Sequence, residues 1–168
     1  MNEEIPGSEN SSSNLNGDSL QLGVRSLRKG RALALQILYE ADVTTHDWGI
    51  SLEYHASLRN YTTPITEFAK RMIAGVLQDI AALDAEIERF APNYPIQQLS
   101  VVDRNVLRLA LYEIRNDAHI PLKVIINEAV EIAKTYGSEA SYKFVNGVLG
   151  SLLAVSYTHL TLPTILLV

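Results

Sequence analysis

Between Ser100 and Leu149 apolar residues return every three or four positions in three successive stretches, the mark of helices that bury a face. In the first stretch Val102, Val106, Leu109 and Ala110 form one stripe, and Leu107, Leu111 and Ile114 form a second. A helix apolar on more than one face belongs at the centre of a bundle, so this one is predicted as the hub. Ser100 is placed to cap its N-terminus, with Asp103 three residues on completing a capping box. Pro121 suits the first position of the next helix, because its missing N–H has no partner to lose there. Ile125, Ala129, Ile132, Ala133 and Tyr136 then recur at helical spacing. Gly137 is expected in the left-handed conformation that closes this helix, and Ser138 as the cap of the following one. On that last helix Val145, Val148, Leu149 and Leu152 make the buried stripe, and Phe144 lies about 100° to its side. An aromatic ring at the flank of a buried stripe asks for a functional reason.

Upstream, residues 1–24 are rich in Ser, Asn and Gly without apolar periodicity and read as a disordered arm. From Arg25 a helix is predicted, with Leu27, Arg31, Ala34, Leu35, Leu38 and Asp42 on successive turns. Gly30 lowers helix preference by about 1 kcal/mol relative to Ala, so the first turns are expected to be loose until something binds. Asp47 is placed to cap a short helix running to about Leu58. Pro64 then opens one long amphipathic helix carrying Ile65, Phe68, Ala69, Met72, Ile73, Val76, Ile80, Leu83, Ile87 and Phe90, stopped by Pro92 and Pro95. No strand alternation interrupts this, so the fold class is all-α, with an ordered domain over 25–154. Residues 155–168 leave the pattern: Pro163 breaks a weak alternation, and the chain ends on the apolar Ile165, Leu166, Leu167 and Val168. Such a tail either packs back on the bundle or is not native to the protein, and the second reading is favoured.

Composition bounds the chemistry. The 168 residues are 47% hydrophobic and 20% charged, as in a soluble globular protein of one domain or little more. The absence of Cys removes disulfides, thiolate catalysis and cysteine zinc sites, and fits an expected cytoplasmic location. No signal peptide or membrane-spanning run is read. The net charge of −5 speaks against nucleic acid until its distribution is considered. Glu3, Glu4, Glu9 and Asp18 all fall in the first 24 residues, and the remainder is close to neutral. Within that remainder Arg25, Arg28, Lys29 and Arg31 crowd together at the start of a helix, the wrong end for the macrodipole. Stability does not account for them there; an anion does.

Catalytic patterns are lacking. His46, His55, His119 and His159 lie in separate segments, three of them in expected loops, and read as surface histidines. Glu128 and Glu131 sit on one helix beside Lys123 and Lys134 and read as solvated charges rather than a catalytic pair. Neither a phosphate loop nor a metal-ligand spacing is present, and no cofactor is expected.

Four segments carry a family resemblance: RALALQILYEAD at 31–42, VDRNVLRLALYEI at 102–114, IPLKVIINEAVEIAKTYG at 120–137 and SYKFVNGVL at 141–149. Together they resemble the NusB family of bacterial transcription antitermination factors, over about residues 25–154. The resemblance implies a two-subdomain helical bundle of about seven helices without enzymatic activity. It further implies binding of the boxA element of nascent ribosomal RNA transcripts together with NusE, a small-subunit ribosomal protein, within the RNA polymerase elongation complex. Carried over by position, the RNA side is Arg25, Arg28, Lys29 and Arg31 with Lys143 and Phe144, and the NusE side is Tyr39 and Asp103. Leu27 and Gly30 interrupt the basic run, so RNA affinity is expected to be weak alone and useful with NusE. The free protein is left as a monomer or a homodimer. Two other readings stay open: a helical module that binds only protein, and an isolated NusB-like domain of a ribosomal RNA methyltransferase.

Overall fold

The computed structural model describes the backbone of residues 23–165 and the side chains of residues 23–156. Residues 1–22 of the predicted arm, and Leu166, Leu167 and Val168 of the tail, lie outside the described residues. The described chain is all-helical: α1 (Val24–Val43), α2 (Trp48–Leu58), α3 (Thr63–Gln78), α4 (Ile80–Phe90), α5 (Val101–Asn116), α6 (Leu122–Tyr136) and α7 (Ser141–Ile165). One 3₁₀ turn, Ile96–Gln98, precedes α5.

Two small bundles make up the fold. Helices α1, α2 and α3 pack on one another, and α4 through α7 form the second group. The predicted hub, α5, touches α1, α3, α4, α6 and α7, so it belongs to both. Its Val106, Leu107, Leu109, Ala110 and Leu111 are buried, as its double stripe requires. The stripe of α7 is buried from Val145 through Leu152, and Ile125, Ala129, Ile132 and Ala133 of α6 are buried against it.

The hub is less apolar than its stripes suggest. Asn105, Arg108 and Glu113 are buried within it, and each is bonded. Arg108 donates from Nε and Nη2 to the two carboxylate oxygens of Asp84 at 2.7 and 2.9 Å, and from Nη1 to Asp42 at 3.2 Å. The same Asp42 oxygen accepts from Arg104 at 2.8 Å and from Asn105 at 2.9 Å. Burial pushes Asp42 up, but these donors and the two guanidinium charges outweigh it and hold its carboxyl below the usual range. One carboxylate thereby ties the C-terminal end of α1 to the start of α5, and Arg108 extends the tie to α4.

Several local expectations are corrected. The long helix predicted from Pro64 is broken in two at Asp79, with φ −112° and ψ 16°. The apolar stripe runs in phase across the break, from Val76 to Leu83 and Ile87, which is why periodicity alone did not reveal it. Gly137 is not left-handed: its φ is −91° and its ψ −172°. Glycine serves there by size, because a Cβ would lie 2.4 Å from Ser141 Cβ and 2.6 Å from the Ala133 carbonyl. Pro121 sits one residue ahead of α6, and Ser138 stands before a helix that starts at Ser141. The backbone stays helical through Ile165, past residue 154, the expected end of the ordered helical pattern, and through Pro163. Gly30 does not loosen α1. It is buried, and a Cβ there would meet the Phe68 ring at 2.5 Å, so the glycine lets α1 and α3 approach closely.

Local caps explain other boundaries. Asp47 accepts from the Ile50 N–H at 3.0 Å and starts α2. Ser100 Oγ accepts from the Asp103 N–H at 3.0 Å and starts α5. Helix α2 buries Leu52 and Ala56 and turns Ser51 and His55 to Glu40 of α1, while Ile50, Tyr54 and Leu58 point outward. His55 is therefore no surface histidine. It lies in a helix, and with His46 it converges on Glu40 at 3.3 and 2.7 Å.

Candidate nucleic-acid interface

Helix α1 begins with its cations on one side. Arg25, Arg28 and Lys29 stand three and four residues apart and share a face. Arg25 and Lys29 are exposed and take no carboxylate partner among the described residues. Arg28 is half-exposed, and its Nε and Nη2 donate to Glu128 of α6 at 2.9 and 2.7 Å. Hydrogen bonds from Arg28 outweigh burial and hold the Glu128 carboxyl below the usual glutamate range. Glu128 is thus corrected from a solvated charge to a buried partner of α1; Glu131 stays at the surface, bonded to Lys134 at 3.3 Å.

Arg31 is not part of the exposed face. Only 4% of it is accessible, and its guanidinium is bonded through Nε and Nη2 to Glu113 in the last turn of α5. Arg31 lies only about 60° around the helix from Arg28, but on the side where α5 and α6 pack against α1 and bring Glu113 and Glu128 to it. A buried arginine so paired is an interior brace; removing one member of such a pair costs about 3–5 kcal/mol. The structure therefore withdraws Arg31 from the phosphate contacts expected of it and leaves Arg25, Arg28 and Lys29.

The second patch lies where α7 meets the connection after α4. Phe144 is half-buried and meets Tyr94 edge-on, ring centroids 5.2 Å apart and planes at 69°. The two rings, with Phe90, Pro92, Lys143 and Gly147, line an open groove of about 280 Å³. Arg89 lies over the Phe90 ring at 5.5 Å, and Lys143 lies 5.9 Å from the Tyr142 ring. Aromatic faces with cations close by suit unpaired bases, which stack on rings while their phosphates meet the charges. Tyr94, 54% exposed, was not singled out from sequence. The signal available was an aromatic set between Pro92 and Pro95, in a loop with no core to fill. No hydrogen bond or ion pair among the described residues joins this groove to the basic end of α1.

Tyr39 and Asp103 lie on another side. Tyr39 is 44% exposed and lines a groove with Leu35, Gln36, Arg59, Val102 and Tyr136. Tyr136, expected in the buried stripe of α6, is 53% exposed there. Asp103 follows Val102 on the first turn of α5. Its side chain does not return the capping-box bond, and its Oδ1 is enclosed without a hydrogen-bond partner. No group of His, Asp and Glu among the described residues is arranged to hold a metal ion. No helix of the described residues is long and apolar enough to cross a membrane.

Comparison with known proteins gives one consistent result. The model of the NusB family matches residues 28–154. A transcription antitermination protein NusB from Dehalococcoides mccartyi strain CBDB1 is 44% identical over 126 residues, covering 75% of this chain and 88% of that protein. Its counterpart from Roseiflexus sp. strain RS-1 is 43% identical over 129 residues, covering 76% and 91%. Among solved structures, T. maritima NusB is 37% identical with a TM-score of 0.65, covering 74% of this chain and 87% of that one. Antitermination factors NusB and NusE in complex with double-stranded RNA provide a chain 26% identical, TM-score 0.71, covering 79% and 99%.

Proposed function

Since the chain belongs to the NusB family, we propose that it is a transcription antitermination factor acting in the cytoplasm. In this reading residues 25–154 bind the boxA element of nascent ribosomal RNA transcripts together with NusE. The complex joins the RNA polymerase elongation complex and supports processive transcription of ribosomal RNA operons. The observation that carries the reading is the exposed Tyr94 ring set edge-on against the half-buried Phe144 in an open groove beside Lys143. Arg25, Arg28 and Lys29 supply phosphate contacts at a second point of the same strand.

The partner face follows from the other groove. Tyr39 offers a half-exposed ring, and Asp103 a partly exposed carboxylate on the first turn of α5, whose Oδ1 is enclosed. Both suit a protein surface that brings an apolar contact and an N–H or cationic group. We assign this face to NusE, in keeping with a family relative whose solved complex contains both NusE and RNA.

The test is a gel-shift of the full chain and NusE, alone and together, with boxA RNA and a scrambled RNA. Binding of boxA RNA by the pair, weaker by the chain alone and weaker still with the scrambled sequence, is expected. Affinity should fall with salt, with a slope of about 0.7 per phosphate contacted on a single strand. Equal binding of both RNAs would remove the boxA assignment, and no binding by the pair would remove the RNA reading.

A further inference from the structure

We infer that Glu128 is a positioning residue for RNA: it holds Arg28 by one edge so that a phosphate meets the other edge of the same guanidinium. The inference rests on the RNA-binding reading above. Glu128 belongs to neither exposed patch, and its sequence setting beside Lys123 and Lys134 reads as a solvated helix-face charge.

The geometry is specific. A guanidinium carries five N–H groups in one plane. Arg28 spends Nε and one hydrogen of Nη2 on the two oxygens of Glu128. Both hydrogens of Nη1 and the second of Nη2 remain, on the edge turned away from that carboxylate, and no described protein group accepts from them. Arg28 is 53% exposed at its side chain, whereas Glu128 is 9% exposed. The carboxylate is therefore inside and the free edge of the arginine outside.

A phosphate has two ways to engage Arg28: draw it off Glu128, or bind it in place. Drawing it off would strand a buried carboxylate. Among the described residues the only other cation paired with Glu128 is Arg31, 3.9 Å away and already bonded to Glu113. A buried charge left so costs more than one surface hydrogen bond to phosphate returns. Binding in place has no such cost and finds the long side chain already ordered, so little rotamer freedom is lost. Glu128 also offsets a cation at the unfavourable end of the α1 macrodipole, which lets Arg28 stand there before RNA arrives.

The experiment compares the full chain with its Glu128→Gln, Arg28→Ala, Arg28→Lys and Arg28→Ala/Glu128→Gln variants. Each is mixed with NusE and a single-stranded RNA carrying the boxA sequence, with thermal melts confirming that each is folded at the assay temperature. Glu128→Gln should weaken binding about three- to tenfold, the worth of one well-placed hydrogen bond. The double variant should bind no worse than Arg28→Ala, because Glu128 acts only through Arg28. Arg28→Lys should resemble Arg28→Ala, since an ammonium lacks the second edge. On the unaltered chain, the nitrogen-15 resonance of Arg28 Nε should keep its hydrogen-bonded signature when RNA is added. Tighter RNA binding by Glu128→Gln would make the carboxylate a rival of phosphate and overturn the inference. So would a double variant weaker than Arg28→Ala, or loss of the Nε signature on RNA binding. An unaltered chain that binds no RNA with NusE overturns this inference and the functional reading together, whereas the other failures leave RNA binding standing.

Discussion

Arg31 and Glu113 stand 82 positions apart in the chain and are bonded to each other inside it. Nε of the arginine lies 2.9 Å from one carboxylate oxygen, and Nη2 is bonded to the other. Both side chains are almost wholly buried. The pair fixes the first half of α1 against the C-terminal end of the hub helix, and so sets where the exposed cations one turn earlier can stand. Arg31→Ala would leave the Glu113 carboxylate without its cation, and a loss of about 3–5 kcal/mol is expected in urea unfolding. The joint change Arg31→Met with Glu113→Leu should lose far less, because an apolar pair of similar volume leaves no charge to satisfy. A single variant as stable as the joint one would show that the pair does not brace the fold.

Gly30 tests the close approach of α1 to α3. Helix preference alone favours Gly30→Ala by about 1 kcal/mol. Against that, the new Cβ would lie 2.5 Å from Cδ1 of Phe68. That ring is buried and hemmed by the guanidinium groups of Arg31 and Arg71, 5.7 and 5.4 Å from its centroid. Forcing extra volume into such a site costs about 1–3 kcal/mol, so crowding should win. The variant is expected to melt below the parent; a rise in Tm would mean that α3 yields at no cost.

What the sequence disclosed and what it hid differ by range. Asp47 and Ser100 accept from N–H groups three residues on, and Pro64 lacks an N–H that would have no partner at a helix start, so the starts of α2, α3 and α5 could be read directly. The stripe of α7 was equally plain, because burial of Val145 through Leu152 follows the helical period. Arg31 could not be told from Arg28 by type or neighbourhood. Only the packing of α5 and α6 on α1 decides that one is enclosed and the other is not. Tyr94 was hidden for the opposite reason: its loop has no period, and its partner Phe144 lies far along the chain. Glu128 looked solvated because its surface neighbours Lys123 and Lys134 are near in sequence, whereas Arg28 is near only in space.

Acid should weaken the fold through its paired carboxylates. Glu128, Asp42 and Glu40 are each held below the usual carboxyl range: Glu128 chiefly by Arg28, Asp42 by Arg104 and Asn105 against its burial, Glu40 by His46 and Ser51. In the unfolded chain they titrate at their ordinary values near about pH 4, so there the unfolded state binds more protons. Their contribution is therefore complete above that range and is lost as pH falls through the lower folded values. Urea midpoints at fixed temperature should be level from neutral pH to about pH 5 and then decline. Asp42→Asn should flatten part of that decline while lowering stability at neutral pH. Stability that rose below pH 4 would contradict the assigned pairs.

The groove at Tyr94 and Phe144 allows the function to be tested apart from the fold. Tyr94 is more than half exposed, so Tyr94→Ala should leave the melting temperature nearly unchanged. If its ring receives an unpaired base, the same change should weaken boxA RNA binding by about 1–3 kcal/mol, roughly five- to 150-fold. Tyr94→Phe keeps the ring and should keep most of the affinity. Phe144→Leu fills much of the same space without an aromatic face, and is expected to lose affinity like Tyr94→Ala at a small cost in stability. Because the rings touch at 5.2 Å, the two losses should add to less than their sum. These affinities are best read by fluorescence anisotropy with NusE present, at one fixed salt concentration. Unchanged binding by both Tyr94→Ala and Phe144→Leu would move the RNA off this groove and leave the basic end of α1 as the remaining contact.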